Sequence, residues 1–271
     1  MSIVSSARAV AFLLALGFAL PLLTACSDEK ENYRERSVED LYNEAMDELA
    51  DESYKKAARS FDEVERQHPY SVWASKAQLM AAYANYQFNH FDDAIVALDR
   101  FIQLHPSHRD VAYAYYLKAI CYYEQIADVE RDQKATEQAL KSLQEVVDRF
   151  PNSRYARDAK LKLDLTRDHL AGKEMAIGRY YEKRQMFLAA INRYRNVIER
   201  YQTTTHVPEA LHRLNECYES LGLTEEARKM TAILGYNYPG SEWYADSYNL
   251  AQGQGWVPES ESSSGWFDWL W

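Results

Sequence analysis

The sequence is poor in glycine, proline and cysteine, and it lacks the short motifs that mark common enzymes. Nine glycines and seven prolines in 271 residues are too few for an all-β fold with many tight turns. Glycine-rich phosphate loops, the His-Glu-x-x-His zinc motif and the Gly-x-Ser-x-Gly nucleophile motif are missing. The seven histidines are scattered without the spacing of metal ligands on a helix. These absences argue against an enzyme, and we expect neither a metal nor a cofactor.

An excess of positive charge is also missing. Lys and Arg number 31 against 41 Asp and Glu, which gives a formal net charge of −10 and a pI near 5.3. Basic and acidic residues are interspersed along the chain, which is typical of solvated helical faces. Because an acidic surface repels a phosphate backbone, the composition argues against binding of nucleic acid.

One apolar run lies near the amino terminus, at residues 9–23, and it leads into Leu23-Thr24-Ala25-Cys26. The run has the length of a signal-peptide core and is short for a membrane span, so we expect residues 1–25 to be a removable signal peptide. An ordinary secretory signal followed by a chance cysteine is the alternative. Residues 26–37 are polar and charged, which predicts a tether.

The end of the apolar run resembles the bacterial lipobox. This resemblance implies cleavage before Cys26 and attachment of S-diacylglyceryl and N-palmitoyl groups to that cysteine. Several acyl chains together give lasting membrane anchorage, where one chain would be marginal. Ser27 follows the cysteine, and the absence of aspartate at that position implies the outer rather than the inner membrane.

What the sequence does contain is a repeated spacing. Five times an alanine is followed twelve residues later by a helix-stopping position, and four of the five stops are proline. The pairs are Ala57/Pro69, Ala94/Pro106, Ala139/Pro151, Ala190/Gln202 and Ala227/Pro239. In four copies, apolar residues lie four and seven places after the alanine, as on one face of a helix. Repetition at this period predicts an all-α solenoid of about five helix pairs.

The alanine-to-alanine steps are 37, 45, 51 and 37 residues, so the third and fourth repeats are expanded. The extra residues of the third repeat are polar and fall near 127–138, which predicts a loop or longer helix ends. Residues 155–184 lack proline and can form one long helix, with Gly172 and Gly178 as weak points and Gly178 at a helix crossing. Residues 241–250 predict a further helix that caps the stack.

In repeat two, small residues where the two helices cross, bulky residues beside them and proline after the second helix together resemble a tetratricopeptide repeat. In that register, the first helices of the pairs face a concave groove. The implied groove residues are Tyr42, Met46, Tyr83, Tyr86, Tyr113, Tyr116 and Tyr123. Tyrosine suits peptide recognition because it combines large apolar area, few rotatable bonds and a hydroxyl group. Each ring could instead be a packing residue between adjacent repeats.

The lipobox, the tether and the expanded repeats together resemble the BamD family, the tetratricopeptide lipoproteins of the β-barrel assembly machinery. Local support comes from His68-Pro69-Tyr70-Ser71, from residues 149–153 and from Arg179-Tyr180-Tyr181. The resemblance covers residues 23–250. The chain departs from the family at Gln202, where proline is expected, and in its Trp-rich tail.

The resemblance implies a scaffold anchored by lipid on the periplasmic face of the cell outer membrane. Its amino-terminal repeats, residues 38–154, would bind unfolded outer-membrane proteins. Its carboxy-terminal repeats, residues 155–250, would dock the POTRA domains of a BamA-type barrel protein and accessory Bam lipoproteins. Asn192-Arg193 is shared with the family, which implies Arg193 as a docking residue.

Two other functions remain open at this point. One is a periplasmic repeat protein of envelope maintenance or cell division, although such proteins usually lack a lipobox. The other is a lipoprotein of DNA uptake, or competence, although the acidic charge disfavours direct contact with DNA.

Cys121 and Cys217 fall in the predicted helices of repeats three and five. Because each repeat of a solenoid contacts mainly its neighbours, we expect buried free thiols rather than a disulfide.

Residues 251–271 are predicted to be a flexible tail that ends in Trp266-Phe267-Asp268-Trp269-Leu270-Trp271. Three interpretations are open for its tryptophans. They could dock on the solenoid itself, anchor at the membrane interface or bind a partner. An aromatic end also resembles that of outer-membrane barrel substrates, so the tail could occupy the groove of its own chain.

Overall fold

The structure is a computed structural model that describes residues 35–129 and 131–253. Regular structure in these residues is entirely helical, and eleven helices follow one another from Val38. In chain order they are α1 (Val38–Ala50), α2 (Tyr54–Gln67), α3 (Val72–Gln87), α4 (Phe91–Leu104), α5 (Val111–Glu124), α6 (Lys134–Arg149), α7 (Arg154–Lys183), α8 (Phe187–Arg200), α9 (Val207–Ser220), α10 (Thr224–Asn237) and α11 (Glu242–Gly253).

The helices form five successive pairs, from α1/α2 to α9/α10, and each helix packs against the next one in the chain. The first helices also touch one another, because α3 contacts both α1 and α5, and α5 contacts α7. The prediction of a tetratricopeptide-repeat α-solenoid with five helix pairs is confirmed. The predicted capping helix is α11, which packs against α9 and α10 and extends to Gly253.

All five second helices end in the same backbone conformation. The residue directly after each of these helices has φ between −135° and −128° and ψ between 43° and 56°, and its backbone N–H donates to the carbonyl four residues earlier. These residues are His68, His105, Phe150, Tyr201 and Tyr238. A residue that precedes proline is disfavoured in the helical region, which explains four of the five. Tyr201 adopts the same conformation before Gln202, so the missing proline leaves the turn unchanged.

Two of the first helices, α3 and α7, and the capping helix α11 begin in a way that the sequence explains. Ser71, Ser153 and Ser241 each lie two residues after a proline, and each hydroxyl accepts a hydrogen bond of 3.1 to 3.2 Å from the backbone N–H three residues later. Such a side chain satisfies one of the free N–H groups at a helix start. A Pro-x-Ser segment therefore ends one helix and starts the next.

The turns inside four of the pairs use a left-handed residue: Glu52, Asn89, Gln185 and Gly222, with φ from 57° to 74°. The third pair has a longer connection between α5 and α6, as the polar segment near residues 127–138 predicted. The side-chain amide of Gln133 donates to three carbonyl oxygens of this connection, those of Asp128, Val129 and Arg131. These bonds tie the middle of the connection to Gln133, the residue directly before α6.

Helix α7 is continuous over 30 residues, which confirms the prediction of one long helix. Both glycines at which it was expected to be weak are buried within it. Gly178 lies against the ring of Tyr194 in α8, so the close crossing predicted for Gly178 is confirmed. Side chains of α7 belong to two core clusters, one shared with α5 and α6 and the other with α8, α9 and α10.

Cys121 and Cys217 are buried and unpaired, and they lie in different core clusters. Burial raises the pKa of both thiols to about 12, which keeps them protonated and poorly reactive. The expectation of buried free thiols is confirmed. Across residues 35–129 and 131–253, no helix has both the length and the apolar character needed to span a membrane.

Candidate peptide groove and docking surface

Tyrosines of α3, α5 and α7 come together where these first helices meet. The rings of Tyr83 and Tyr86 in α3 lie 6.4 Å apart. Tyr113 and Tyr116 in α5 both contact Tyr155 of α7, with ring centroids 5.5 and 5.1 Å away, and the second pair is stacked. Tyr113 is also close enough to Tyr83 and Tyr86 for their hydroxyls to influence its ionisation. We call these five residues the tyrosine row.

Four members of the row were implied by the repeat register, whereas Tyr155 was not. In the long α7 the register placed the helix crossing at Gly178, so the first turns of this helix, with Ala156 and Ala159, were not aligned with the earlier repeats. Tyr155 directly follows Arg154, whose guanidinium lies 4.8 Å above its ring and donates to its hydroxyl at 2.6 Å. An aromatic residue just after a Pro-x-Ser segment is the signal that could have identified it.

Charged residues of α7 lie along one edge of the row. The hydroxyl of Tyr116 donates to Asp158 at 2.7 Å, and Lys162 Nζ lies 3.0 Å from the same carboxylate. The ammonium group of Lys162 also lies 5.6 Å from the ring centre of Tyr123, which places Tyr123 at the end of this edge. Partial burial disfavours ionisation of Asp158, but the hydrogen bonds from Tyr116 and Lys162 outweigh it and lower the pKa of Asp158.

Three hydroxyl groups of the row, those of Tyr86, Tyr113 and Tyr116, stay protonated at neutral pH. Burial, followed by neighbouring tyrosines and carboxylates, raises the pKa of Tyr86, Tyr113 and Tyr116 above the ordinary value. The Tyr83 hydroxyl accepts a hydrogen bond from the side chain of Gln87. The row therefore offers half-buried ring faces together with hydroxyl groups that can donate and accept hydrogen bonds.

The two implied residues of α1 have different environments. Tyr42 is only 5 % exposed, and its ring packs against Phe61 and Trp73 with centroids 5.5 and 4.7 Å away. It fills the space left by small residues of α3, so it is a packing residue, the alternative that the register left open. Met46 is 37 % exposed and remains accessible to a ligand.

Arg193 lies on α8, and its side chain reaches α7. Its guanidinium is 3.4 Å from both carboxylate oxygens of Glu174 in α7, and Asn196 donates to the same carboxylate at 3.1 Å. The Arg193 side chain is 38 % exposed. A polar surface pocket of about 540 Å³ surrounds it, lined by Tyr181, Ala189, Asn192, Arg193, Arg195, Asn196 and Glu199. The geometry presents a guanidinium that is held in place and partly open to solvent.

A partly buried polar network joins α7, α8 and α9. Tyr194 donates to Glu182 at 2.6 Å, and Arg213 donates to Glu216 at 2.7 Å. His212 Nε2 lies 3.5 Å from Glu216. Burial opposes ionisation of Glu216, but His212 and Arg213 outweigh it and lower its pKa to about 2, whereas burial and the nearby Glu216 raise the pKa of Glu182.

Residues 35–129 and 131–253 contain no group of three or more His, Cys, Asp or Glu side chains that could hold a metal ion. Cys26 and the Trp-rich segment lie outside the described residues. Lipidation of Cys26 therefore stays a prediction from the lipobox.

Comparison with known proteins identifies the family to which this chain belongs. Residues 34–233 match the family model YfiO, described as an outer membrane lipoprotein. "Outer membrane protein assembly factor BamD" of Caulobacter vibrioides is 55 % identical over 229 residues, which is 84 % of this chain and 75 % of that protein. The protein of the same name from Rickettsia prowazekii is 46 % identical over 241 residues, or 89 % and 95 % of the two chains. These relatives are named as assembly factors and not as enzymes.

Among solved structures, the tetratricopeptide domain of P58(IPK) is 14 % identical, with a TM-score of 0.42, and the match covers 79 % of this chain and 56 % of that one. The family model and the curated relatives match most of the chain in sequence. The chain belongs to the BamD family of outer membrane protein assembly factors.

Proposed function

We propose that this protein is a lipid-anchored scaffold of the β-barrel assembly machinery. It binds unfolded outer-membrane proteins through its amino-terminal repeats and the barrel subunit through its carboxy-terminal repeats, and so promotes folding and insertion. Family membership supports the assembly role. The tyrosine row is the observation that carries the substrate-binding part.

The row suits an extended, aromatic-rich polypeptide. Half-buried tyrosine rings provide apolar contact area. Because these side chains already pack against one another, they lose little conformational entropy when a ligand binds. Their hydroxyl groups, together with Asp158 and Lys162, supply donors and acceptors for the unpaired backbone groups of a chain that has not yet formed strands. Recognition of this kind depends on side-chain character and not on one sequence, as a factor with many substrates requires.

The surface around Arg193 suits a folded partner. A guanidinium can bind carboxylates or backbone carbonyls through two parallel hydrogen bonds, and its pairing with Glu174 fixes its direction before binding. We assign this surface to the POTRA domains of a BamA-type barrel protein, with accessory Bam lipoproteins as further partners on these repeats.

The anchor completes the arrangement. S-diacylglyceryl and N-palmitoyl groups on Cys26 hold the chain on the periplasmic face of the outer membrane, next to the barrel subunit. No covalent step, cofactor or nucleic acid takes part, since the function is binding and relative positioning.

The test of the substrate site compares two variants of the full chain in detergent. Tyr113→Ala combined with Tyr116→Ala removes two rings of the row, and Tyr236→Ala removes a ring that is 76 % exposed on α10. The probe is a fluorescent peptide that copies the last strand of an outer-membrane barrel protein, and anisotropy measures its affinity. We expect the double variant to bind at least about tenfold more weakly and Tyr236→Ala to bind normally. Equal affinities for all three proteins would remove the tyrosine row as the binding site.

A further inference from the structure

An apolar pocket of about 350 Å³ lies among α8, α9 and α10, helices that contribute nothing to the tyrosine row. Its floor includes Leu211 and Leu214 of α9, both 1 % exposed. Ile198 of α8 lies on one side, and Met230 and Ile233 of α10 lie on the other. The pocket is therefore a cleft between two second helices, with the core of the last repeat at its base.

The rim of this pocket is polar. Arg195 and Glu199 of α8 form an exposed ion pair of 3.4 Å at one side, and Glu226 of α10 lies at the other. Gln202 also belongs to the rim, at the position where the other four repeats have proline. The rim thus provides carboxylate and amide oxygens that could accept a hydrogen bond from a ring whose body is buried between them.

The chain itself carries a segment of matching chemistry. Residues 266–271 contain three tryptophans, one phenylalanine and one leucine, with Asp268 as the single charge. Tryptophan combines a large apolar body with one N–H donor, which fits an apolar floor below a rim of acceptors. Asp268 can pair with Arg195 at the rim.

The position of α11 brings this segment within reach. Helix α11 packs on α9 and α10, two of the three helices that form the pocket. Its Trp243 lies 5.4 Å from the ring of His212 in α9, and its Tyr244 contacts Gly235 of α10. Twelve residues lie between Gly253 and Trp266, and these can span about 40 Å when extended. Helix α10, with 14 residues, is about 21 Å long.

We propose that residues 266–271 dock in the pocket among α8, α9 and α10 of the same chain. One indole ring inserts between Ile198 and Ile233, and its N–H donates to Glu199 or Glu226. Tethering to α11 makes the local concentration of the segment high, so even a weak contact is well occupied. Because Arg195 and Glu199 line both this pocket and the pocket around Arg193, the docked segment borders the proposed partner surface.

The experiment places a photo-crosslinking residue at the pocket in the full chain, purified in detergent. Asn237→p-benzoylphenylalanine probes the pocket, because Asn237 lines it and is exposed. Tyr236→p-benzoylphenylalanine is the matched control, because Tyr236 is the adjacent residue of α10, is exposed and does not line the pocket. After irradiation and proteolysis, mass spectrometry identifies the peptides that are joined.

We expect cross-links from position 237 to the peptide that contains residues 266–271, and their loss when Trp266, Trp269 and Trp271 are all replaced by serine. Position 236 should give few or none. Mixing unlabelled and ¹⁵N-labelled chains separates links within one chain from links between two copies. Links mainly between copies, links mainly to detergent or lipid, equal yields at positions 236 and 237, or no link to this peptide would each overturn the proposal. An unchanged circular dichroism melting curve for the triple serine variant confirms that loss of the link is not loss of the fold.

Discussion

Gly178 of α7 and Tyr194 of α8 leave no room for a side chain between them. A Cβ atom placed on Gly178 would lie 2.8 Å from both Cδ1 and Cζ of the Tyr194 ring. Tyr194 is fully buried, and its hydroxyl is held by Glu182 at 2.6 Å, so the ring has no free direction in which to move. The crossing of α7 and α8 therefore depends on the absence of one methyl group.

The first prediction concerns this crossing. Gly178→Ala should reduce the free energy of unfolding by about 2 kcal/mol, because overpacking a tight core forces helices apart. Gly172→Ala in the same helix is the control: a Cβ there meets the movable side chain of His206 at 3.3 Å. Alanine is a better helix former than glycine by about 1 kcal/mol, so this variant should be neutral or slightly more stable. Urea unfolding followed by circular dichroism measures both, and equal stability of the two variants would contradict the packing argument.

The second prediction concerns pH. Glu216 has a folded pKa of about 2, below the value of 4.5 for an unperturbed glutamate, so its ionisation stabilises the fold above about pH 4.5. That contribution is lost as the pH falls from 4.5 towards 2. Glu216→Gln should flatten the stability curve in this range and cost about 1 to 2 kcal/mol at pH 7, allowing for solvent screening of a side chain that is one-third exposed.

Glu182 provides the matched variant with the opposite sign. Because the pKa of Glu182 is raised in the folded state, its contribution to the free energy of unfolding is fully present below pH 4.5. That contribution is lost as the pH rises through the folded pKa. Glu182→Gln should therefore increase stability at pH 7, because the amide oxygen still accepts the hydrogen bond of Tyr194 without burying a charge. Unfolding curves at pH 3, 5 and 7 test both variants. A stabilised Glu216→Gln or a destabilised Glu182→Gln at pH 7 would show that the network is assigned wrongly.

The third prediction concerns the partner surface. Arg193→Ala should weaken binding to isolated POTRA domains of the barrel subunit about tenfold or more, because a preoriented guanidinium is lost. Arg200→Ala on the same helix is the control, since Arg200 stacks over Tyr201 and does not line the pocket around Arg193. Isothermal titration calorimetry gives the two affinities. If both variants bind like the unaltered protein, the docking surface lies elsewhere on the solenoid.

The fourth prediction concerns the anchor. Cys26→Ala removes the thiol that the lipobox presents for acylation, so the protein should move from the membrane fraction to the soluble periplasmic fraction. Membrane fractionation with immunodetection measures this. Retention of the variant in the membrane, in cells that lack the barrel subunit, would contradict lipidation as the anchor.

The helical repeats were predictable because their signals are local. Proline after four of the five second helices acts on the residue before it. Serine two places after three of these prolines bonds to a free N–H group of the next helix, so both effects can be read from a few residues. Gly178 was predictable for the same reason, since a close crossing requires a small residue at one register position.

The candidate sites were less predictable, because they depend on contacts between elements distant in sequence. Tyr155 joins Tyr113 and Tyr116 only because α7 packs on α5. Tyr42 satisfies the groove register but is buried, because the small residues of α3 leave a space that its ring fills. The pocket beside Gln202 arises from the separation of α8 and α10, which no single repeat specifies.

In the connection between α5 and α6, the side chain of Gln133 bonds to three carbonyl oxygens, and Lys173 of α7 donates to one of them, that of Arg131, at 3.3 Å. These carbonyl groups are therefore satisfied by side chains and not by the packing of the two helices that the connection joins. A fluorescent tag or an affinity peptide inserted in this connection should leave the solenoid intact, which offers a reporter position between the proposed substrate site and the proposed partner surface.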